Sequence, residues 1–303
     1  MTSPAESDDL SLSARVRAWR GEGALEQIHG REIFVRRTQG EGPLLLFLHG
    51  FPSSSFDWRE TLHALPARAT VTLDFLGFGL SEKPREVRYS LLDQADLVEE
   101  ALAGDRARPT VLVAHDMGTS VATELLARDI DGRLSLNLKA VLLCNGSMIL
   151  ERATLTPGQK LLRSPVGGLA ARASSRRFFL REFSKLFSSA HPLSREEAQD
   201  QWALWRRAGG HRIAHRLISY QDERIRFAAR WHGAIATWPG ALALVWGLLD
   251  PVATTNVLAG LRELRPSMPV TELPDVGHYL QIEKPARIAK LVDGLARSAE
   301  SSA

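Results

Sequence analysis

Cysteine is almost missing from this chain of 303 residues: Cys144 is the only one, so no intrachain disulfide can form. It sits in the apolar run AVLLC, which marks a buried structural thiol rather than a nucleophile. Tyrosine is scarce as well. Tyr89, Tyr220 and Tyr279 are all the phenols the chain has to offer as proton donors. No apolar run reaches the roughly 18 residues that a membrane-spanning helix needs. The opening MTSPAESDDLSLSARVRAWRGEG lacks the apolar centre of a signal peptide, so a cytoplasmic location is expected. HExxH, CxxC and carboxylate–histidine clusters do not occur, so neither a metal nor a cofactor is expected. The formal net charge is only +3, and no basic–aromatic motif repeats, which argues against a nucleic-acid partner. The excess of Lys and Arg between residues 151 and 231 reads as a solvated face. Oligomeric state is not legible.

What is present is an alternation of apolar strands and amphipathic helices. Two short strand-like pieces flank His29-Gly30. Buried strands are expected at 44–50, 70–74, 110–114, 138–146, 241–247 and 269–273. Helices are expected at 57–67, 90–104, 118–129 and 285–297. Strands apolar on both faces call for helices on both sides, hence a mostly parallel, doubly wound α/β sheet. The alternation stops between 147 and 235, where pieces such as RRFFLREFSKLF and REEAQDQWALWRRAG have helical character. The expected organisation is a flexible N-terminal segment over 1–24, a core of 25–146 and 236–297, and a helical cap inserted over 147–235, after the strand ending near residue 145. Such an insertion lies over the C-terminal edge of the sheet, where open α/β sheets bind ligands.

Four loops after apolar strands end in chemically useful groups. VLVAHDMGTSVAT (111–123) reads as strand, sharp turn and helix, with Ala114 and Gly118 flanking Asp116 at the turn. Small residues two before and two after the central one are what a strained nucleophile elbow requires. An Asp before a helix can also be a plain N-cap. The other loops decide for the nucleophile: Asp250 in WGLLDPV and His278 in DVGHYLQIEKP follow in the chain order nucleophile, acid, histidine. A carboxylate nucleophile opens alkyl electrophiles to an alkyl–enzyme ester. The His49-Gly50-Phe51-Pro52 turn offers the Phe51 N–H, which with the Met117 N–H would form an oxyanion hole. His49, His115, Trp202, Trp205 and Tyr279 are candidates for the pocket wall, and Asp74 for fixing its own Gly-rich turn.

Together HGFPSSSFDW, LDFLGFGLSEKP, AHDMG, WGLLDPV and GHYLQIEKP resemble the α/β-hydrolase superfamily over roughly residues 25–297. The Asp nucleophile resembles its branch of epoxide hydrolases and haloalkane dehalogenases. DFLGFGLSEKP and YQDERIRFAARW resemble the epoxide-hydrolase-like mesoderm-specific transcript group. Haloalkane dehalogenases typically follow the nucleophile with a Trp that grips the halide, and here that residue is Met117; HGFP is similar to epoxide hydrolases. The resemblance implies an epoxide hydrolase in which Asp116 attacks, Tyr220 donates to the epoxide oxygen, His278 is the general base and Asp250 orients it. The partners would be a small hydrophobic epoxide and water. A second lid donor is implied, with His191, Trp202 and Trp205 as its candidates. A dehalogenase on the same triad, an ester or lactone hydrolase, and a catalytically silent ligand-binding protein are the alternatives.

Overall fold

The computed structural model describes residues 12–301, and the chain there opens with a helix. α1 (Ala14–Gly21) is N-capped by Ser13, whose hydroxyl accepts from the Val16 N–H at 3.2 Å. Val16 and Trp19, three apart on one helical face, are buried, and Trp19 stands edge-on to Phe56 at 6.1 Å. This corrects the expectation of a flexible segment over 1–24: within it, residues 14–21 are a packed helix. The part of that expectation covering residues 1–11 lies outside the described residues.

Eight strands form one sheet: β1 (Ala24–Ile28), β2 (Arg31–Thr38), β3 (Glu41–Leu48), β4 (Arg68–Leu73), β5 (Pro109–His115), β6 (Asn137–Cys144), β7 (Ala241–Gly247) and β8 (Val270–Leu273). Their order is β1-β2-β4-β3-β5-β6-β7-β8. β1 and β2 make an antiparallel hairpin, closed by His29 and Gly30 with φ of 48° and 70°. β2 meets β4 antiparallel, and every later pairing is parallel. β3 therefore lies between β4, which follows it, and β5, to which the chain crosses over. The C-terminal ends of β3 and β5 thus form the topological switch point, where a crevice opens.

Helices cover both faces of the sheet: α2 (Arg59–His63), α3 (Leu91–Ala101), α4 (Met117–Ile130), then the insertion, then α12 (Thr255–Leu264), α13 (Leu280–Glu283) and α14 (Pro285–Ser301). The strand period of two sorts side chains between two cores. Leu44, Leu46 and Leu48 join Leu112 and Ala114 under α3 and α4, while Leu45 and Phe47 join Val111 and Val113 under α14 and α1. Cys144 belongs to the second core, where burial raises its thiol pKa.

Between β6 and β7 the described chain is helical: α5 (Pro157–Arg163), α6 (Gly167–Ala173), α7 (Arg176–Ser184), α8 (Arg195–Arg206), α9 (Ala214–Leu217), α10 (Tyr220–Arg226) and α11 (Ala228–Thr237). Its starts are set locally. Thr156 and Gln159 form a reciprocal capping box, and Ser175 and Ser194 cap α7 and α8. Phe179, Phe183, Trp205, Tyr220 and Trp231 turn inward and extend the first core over the strand ends. Among the described residues no helix is long and apolar enough to cross a membrane.

Candidate active site

Asp116 stands between β5 and α4 with φ 45° and ψ −110°. A non-Gly residue held there stores on the order of 1–3 kcal/mol of strain, which the surroundings must impose. They do so through close approach. A Cβ on Gly118 would come within 2.6 Å of the His49 carbonyl oxygen, and one on Gly50 within 2.7 Å of the Asp116 Cβ. Three groups hold the elbow's peptide. The Thr119 N–H (3.1 Å), the Thr119 hydroxyl (2.5 Å) and Arg224 Nη2 (2.9 Å) all donate to the Asp116 carbonyl.

The side chain makes no capping bond to the helix it precedes, so the N-cap alternative falls. Instead its Oδ2 accepts from the Phe51 N–H at 2.9 Å. One oxygen of the carboxylate thus already occupies the donor that the HGFP turn presents. Met117, whose N–H is the other expected donor, is the first residue of α4. The first N–H groups of a helix have no intrahelical acceptor and remain available to a ligand.

His278 and Asp250 come together from different strand ends. His278 Nδ1–H donates to Asp250 Oδ2 at 2.7 Å, and both residues are buried. Asp250 is fixed from every side: Oδ1 accepts from the N–H groups of Val252 (2.7 Å) and Ala253 (3.1 Å), and Oδ2 also accepts from Asn145 Nδ2 (2.6 Å). Burial alone would lower the His278 pKa. The charge and hydrogen bond of Asp250, joined by the charges of Asp116 and Glu283, overcome it and raise the pKa. The His278 backbone is held too, its N–H on the Leu186 carbonyl (2.8 Å) and its own carbonyl on His115 Nε2–H (2.9 Å).

A cavity of about 810 Å³, including its open mouth, reaches from the insertion down to His278 and Phe51. Its wall is mostly apolar, with Leu162, Phe179, Phe183 and Trp205 prominent, and includes Gln159 and Glu182. Of the expected wall residues, only Trp205 lines it, edge-on to Phe51 at 5.6 Å. The others stand elsewhere, each for a physical reason. His49 donates to the Gly50 carbonyl and accepts from the Phe75 N–H, so it braces two loops. His115 Nδ1 accepts from the Gln281 amide nitrogen Nε2 at 3.1 Å while its Nε2–H braces His278, and burial lowers its pKa well below the ordinary value. Trp202 packs against Phe179 behind the wall, and Tyr279 is buried between Phe183 and Phe187. His191, weighed as a second donor, pairs instead with Asp275 at 3.2 Å. Asp74 anchors its own turn as expected from its sequence, accepting from the N–H groups of Ser55 and Leu80.

Tyr220 is buried with its ring 5.8 Å from that of Phe51. Burial, and then the Asp116 charge, raise its pKa, so the phenol keeps its proton. Two polar partners escaped the sequence reading. Arg224, 2% exposed, donates from Nε to Ser120 Oγ (2.8 Å), lies 3.8 Å from Asp116 Oδ1, and stacks its guanidinium over Tyr220 at 4.7 Å. Its signal was the spacing: four residues after Tyr220 on one helix, the two share a face. Asn145, with φ 39°, follows β6 and links Asp250 to the Gly247 backbone. A polar residue ending a buried strand was its only signal.

With this geometry in place, the chain can be set beside known proteins. A profile described as the alpha/beta hydrolase family matches residues 45–291. A protein of Mycobacterium tuberculosis named "Putative hydrolase LipZ" is 58% identical over 278 residues, covering 92% of this chain and 96% of that one. The human mesoderm-specific transcript homolog protein is 34% identical over 288 residues, 90% of this chain and 85% of its own length. Among solved structures, haloalkane dehalogenase DbeA from Bradyrhizobium elkani superposes with a TM-score of 0.75 at 24% identity, covering 92% of this chain and 98% of that one, a likeness of fold.

Proposed function

The chain belongs to the alpha/beta hydrolase family, and from that premise we propose that it hydrolyses epoxides to vicinal diols through an ester on Asp116. The observation that carries this reading is the Asp116 carboxylate at a strained elbow, bonded to the Phe51 N–H and not to its own helix. Oδ2 is taken by that N–H, which leaves Oδ1 to attack. Oδ1 displaces the epoxide oxygen from one ring carbon, and Tyr220 gives that oxygen its proton. Without a donor the oxygen would leave as a costly alkoxide. Trp205, on the cavity wall, is the remaining candidate for a second donor.

His278 then removes a proton from water, and the hydroxide adds to the Asp116 carboxyl carbon. The N–H groups of Phe51 and Met117 stabilise the resulting oxyanion. Collapse breaks the ester C–O bond, and His278 returns its proton to the departing diol oxygen. The proton left on the Asp116 carboxyl replaces the one Tyr220 gave up, so the cycle closes with one water consumed. Asp250 holds His278 in the right tautomer and stabilises its charged form. The 147–235 insertion serves as the cap, which keeps bulk water from the ester.

Single turnover of an epoxide panel in ¹⁸O-water, followed by mass spectrometry of the Asp116 peptide, tests this. Label in the Asp116 carboxylate is expected. Diol formed without label there would sink the ester mechanism, and halide release from haloalkanes with no diol from any epoxide would replace it by dehalogenation.

A further inference from the structure

One surface of the insertion takes no part in this chemistry. Over residues 157–187, spanning α5 to α7, seven basic residues face a single acid, Glu182. All seven are exposed. Arg163 pairs with Asp222, and Arg181 and Lys185 with Glu182. Lys160, Arg172, Arg176 and Arg177 have no acidic partner among the described residues. Arg37, Arg68, Arg128 and Arg230, by contrast, each face one or more carboxylates.

Amid these charges, Leu161, Val166 and Leu169 are 41%, 51% and 66% exposed. Isolated exposed leucines need no explanation. These three fall within nine residues, on α5, on the connection and on α6, and Leu161 also lines the cavity that ends at His278. The apolar patch and the cavity mouth are therefore continuous. Unpaired arginines around an apolar patch fit a surface that is anionic outside and apolar within, as a bilayer leaflet is. A second copy of the chain is a poor occupant, because a symmetric contact would set this basic face against itself.

We propose that α5–α7 dock the protein on anionic bilayers, with the cavity mouth turned to the lipid. The docking stands whatever bond the site cleaves. Joined to the epoxide reading, it names the substrate class: an apolar, chain-bearing molecule that partitions into the leaflet and reaches His278 without crossing water.

Co-sedimentation of the full chain with vesicles tests the docking. Binding is expected to vesicles of mixed phosphatidylglycerol and phosphatidylcholine, to be weak on phosphatidylcholine alone, and to fall with added salt. At about fivefold per basic side chain, Arg172→Ala/Arg176→Ala/Arg177→Ala should weaken partitioning on the order of a hundredfold. Leu169→Asp with Val166→Asp should weaken it at least tenfold, with the circular dichroism melt unchanged. The charge-matched Lys139→Ala/Arg287→Ala/Lys290→Ala, on exposed residues away from the insertion, should bind like the parent. Equal loss in that control would reduce the effect to net charge and overturn the proposal. So would a parent protein that ignores phosphatidylglycerol vesicles, or a concentration-dependent dimer that the triple Arg variant abolishes. Turnover of a water-soluble epoxide reports separately on the chemistry, and the triple Arg variant should leave it unchanged.

Discussion

The edge of the sheet and the helical layer above it are built on opposite principles. At the edge, the candidate catalytic residues are held by directional bonds. Asp250 alone accepts four, from His278, Asn145, Val252 and Ala253. In the insertion, the groups that meet the cavity are mostly apolar, Leu162, Phe179, Phe183 and Trp205 among them, held by packing that has area but little direction. A hydrogen-bonded constellation tolerates almost no change of residue, whereas an apolar wall accepts many of similar volume. The difference separates what the enzyme does from what it does it to. Arg224 is the exception, a buried cation that the insertion sends down to the elbow.

Substitutions at three positions test this difference. Asp250→Asn should have the largest effect, lowering kcat by roughly two to four orders of magnitude, because the neutral partner no longer fixes the His278 tautomer. The sign of its pH effect follows from the balance at His278. In the proposed mechanism His278 must be neutral to take a proton, so activity is expected to fall as pH drops through its raised pKa. With the Asp250 charge gone, burial lowers that pKa, and the acid limb of the pH–rate profile should move to lower pH. An unmoved limb would detach Asp250 from the base.

Arg224→Met should have an intermediate effect. It leaves the Ser120 hydroxyl and the Asp116 carbonyl short of a charged donor, a loss of about 1.5–3 kcal/mol for such bonds. If the elbow's geometry bears it, kcat falls about ten- to a hundredfold with KM little changed. Arg224→Lys should not restore activity, because an ammonium lacks the planar fork whose Nε and Nη2 reach Ser120 and Asp116 separately. Steady-state kinetics beside a thermal melt distinguishes this from simple destabilisation. Phe179→Leu should have the smallest effect: a few-fold change in KM that differs between short and long substrates, with kcat nearly constant. A large loss of kcat there would show that the apolar wall also positions the reacting carbon.

The same contrast explains what could be read from the residues alone. The strands at 44–50, 110–114 and 138–146 were legible because a sheet covered on both faces writes continuous apolar runs. Asp116, Asp250 and His278 were legible because each follows such a run, and the fold sends all those loops to one edge. Arg224 was not, since its partners lie more than a hundred residues away in the chain. Nor could spacing show that Trp205 faces the cavity while Trp202 packs behind it. Both sit on α8, three apart, and both meet Phe179 of α7, yet only Trp205 reaches the cavity. α1 was missed because its two apolar anchors, Val16 and Trp19, stand among charges in a segment that reads as polar.

The backbone N–H of His278 is tied to the carbonyl of Leu186, and Leu186 is itself part of the cavity wall. One hydrogen bond thereby ties His278 to the chamber wall, so a displacement of residues 183–188 that widened the chamber would also pull on the loop carrying His278.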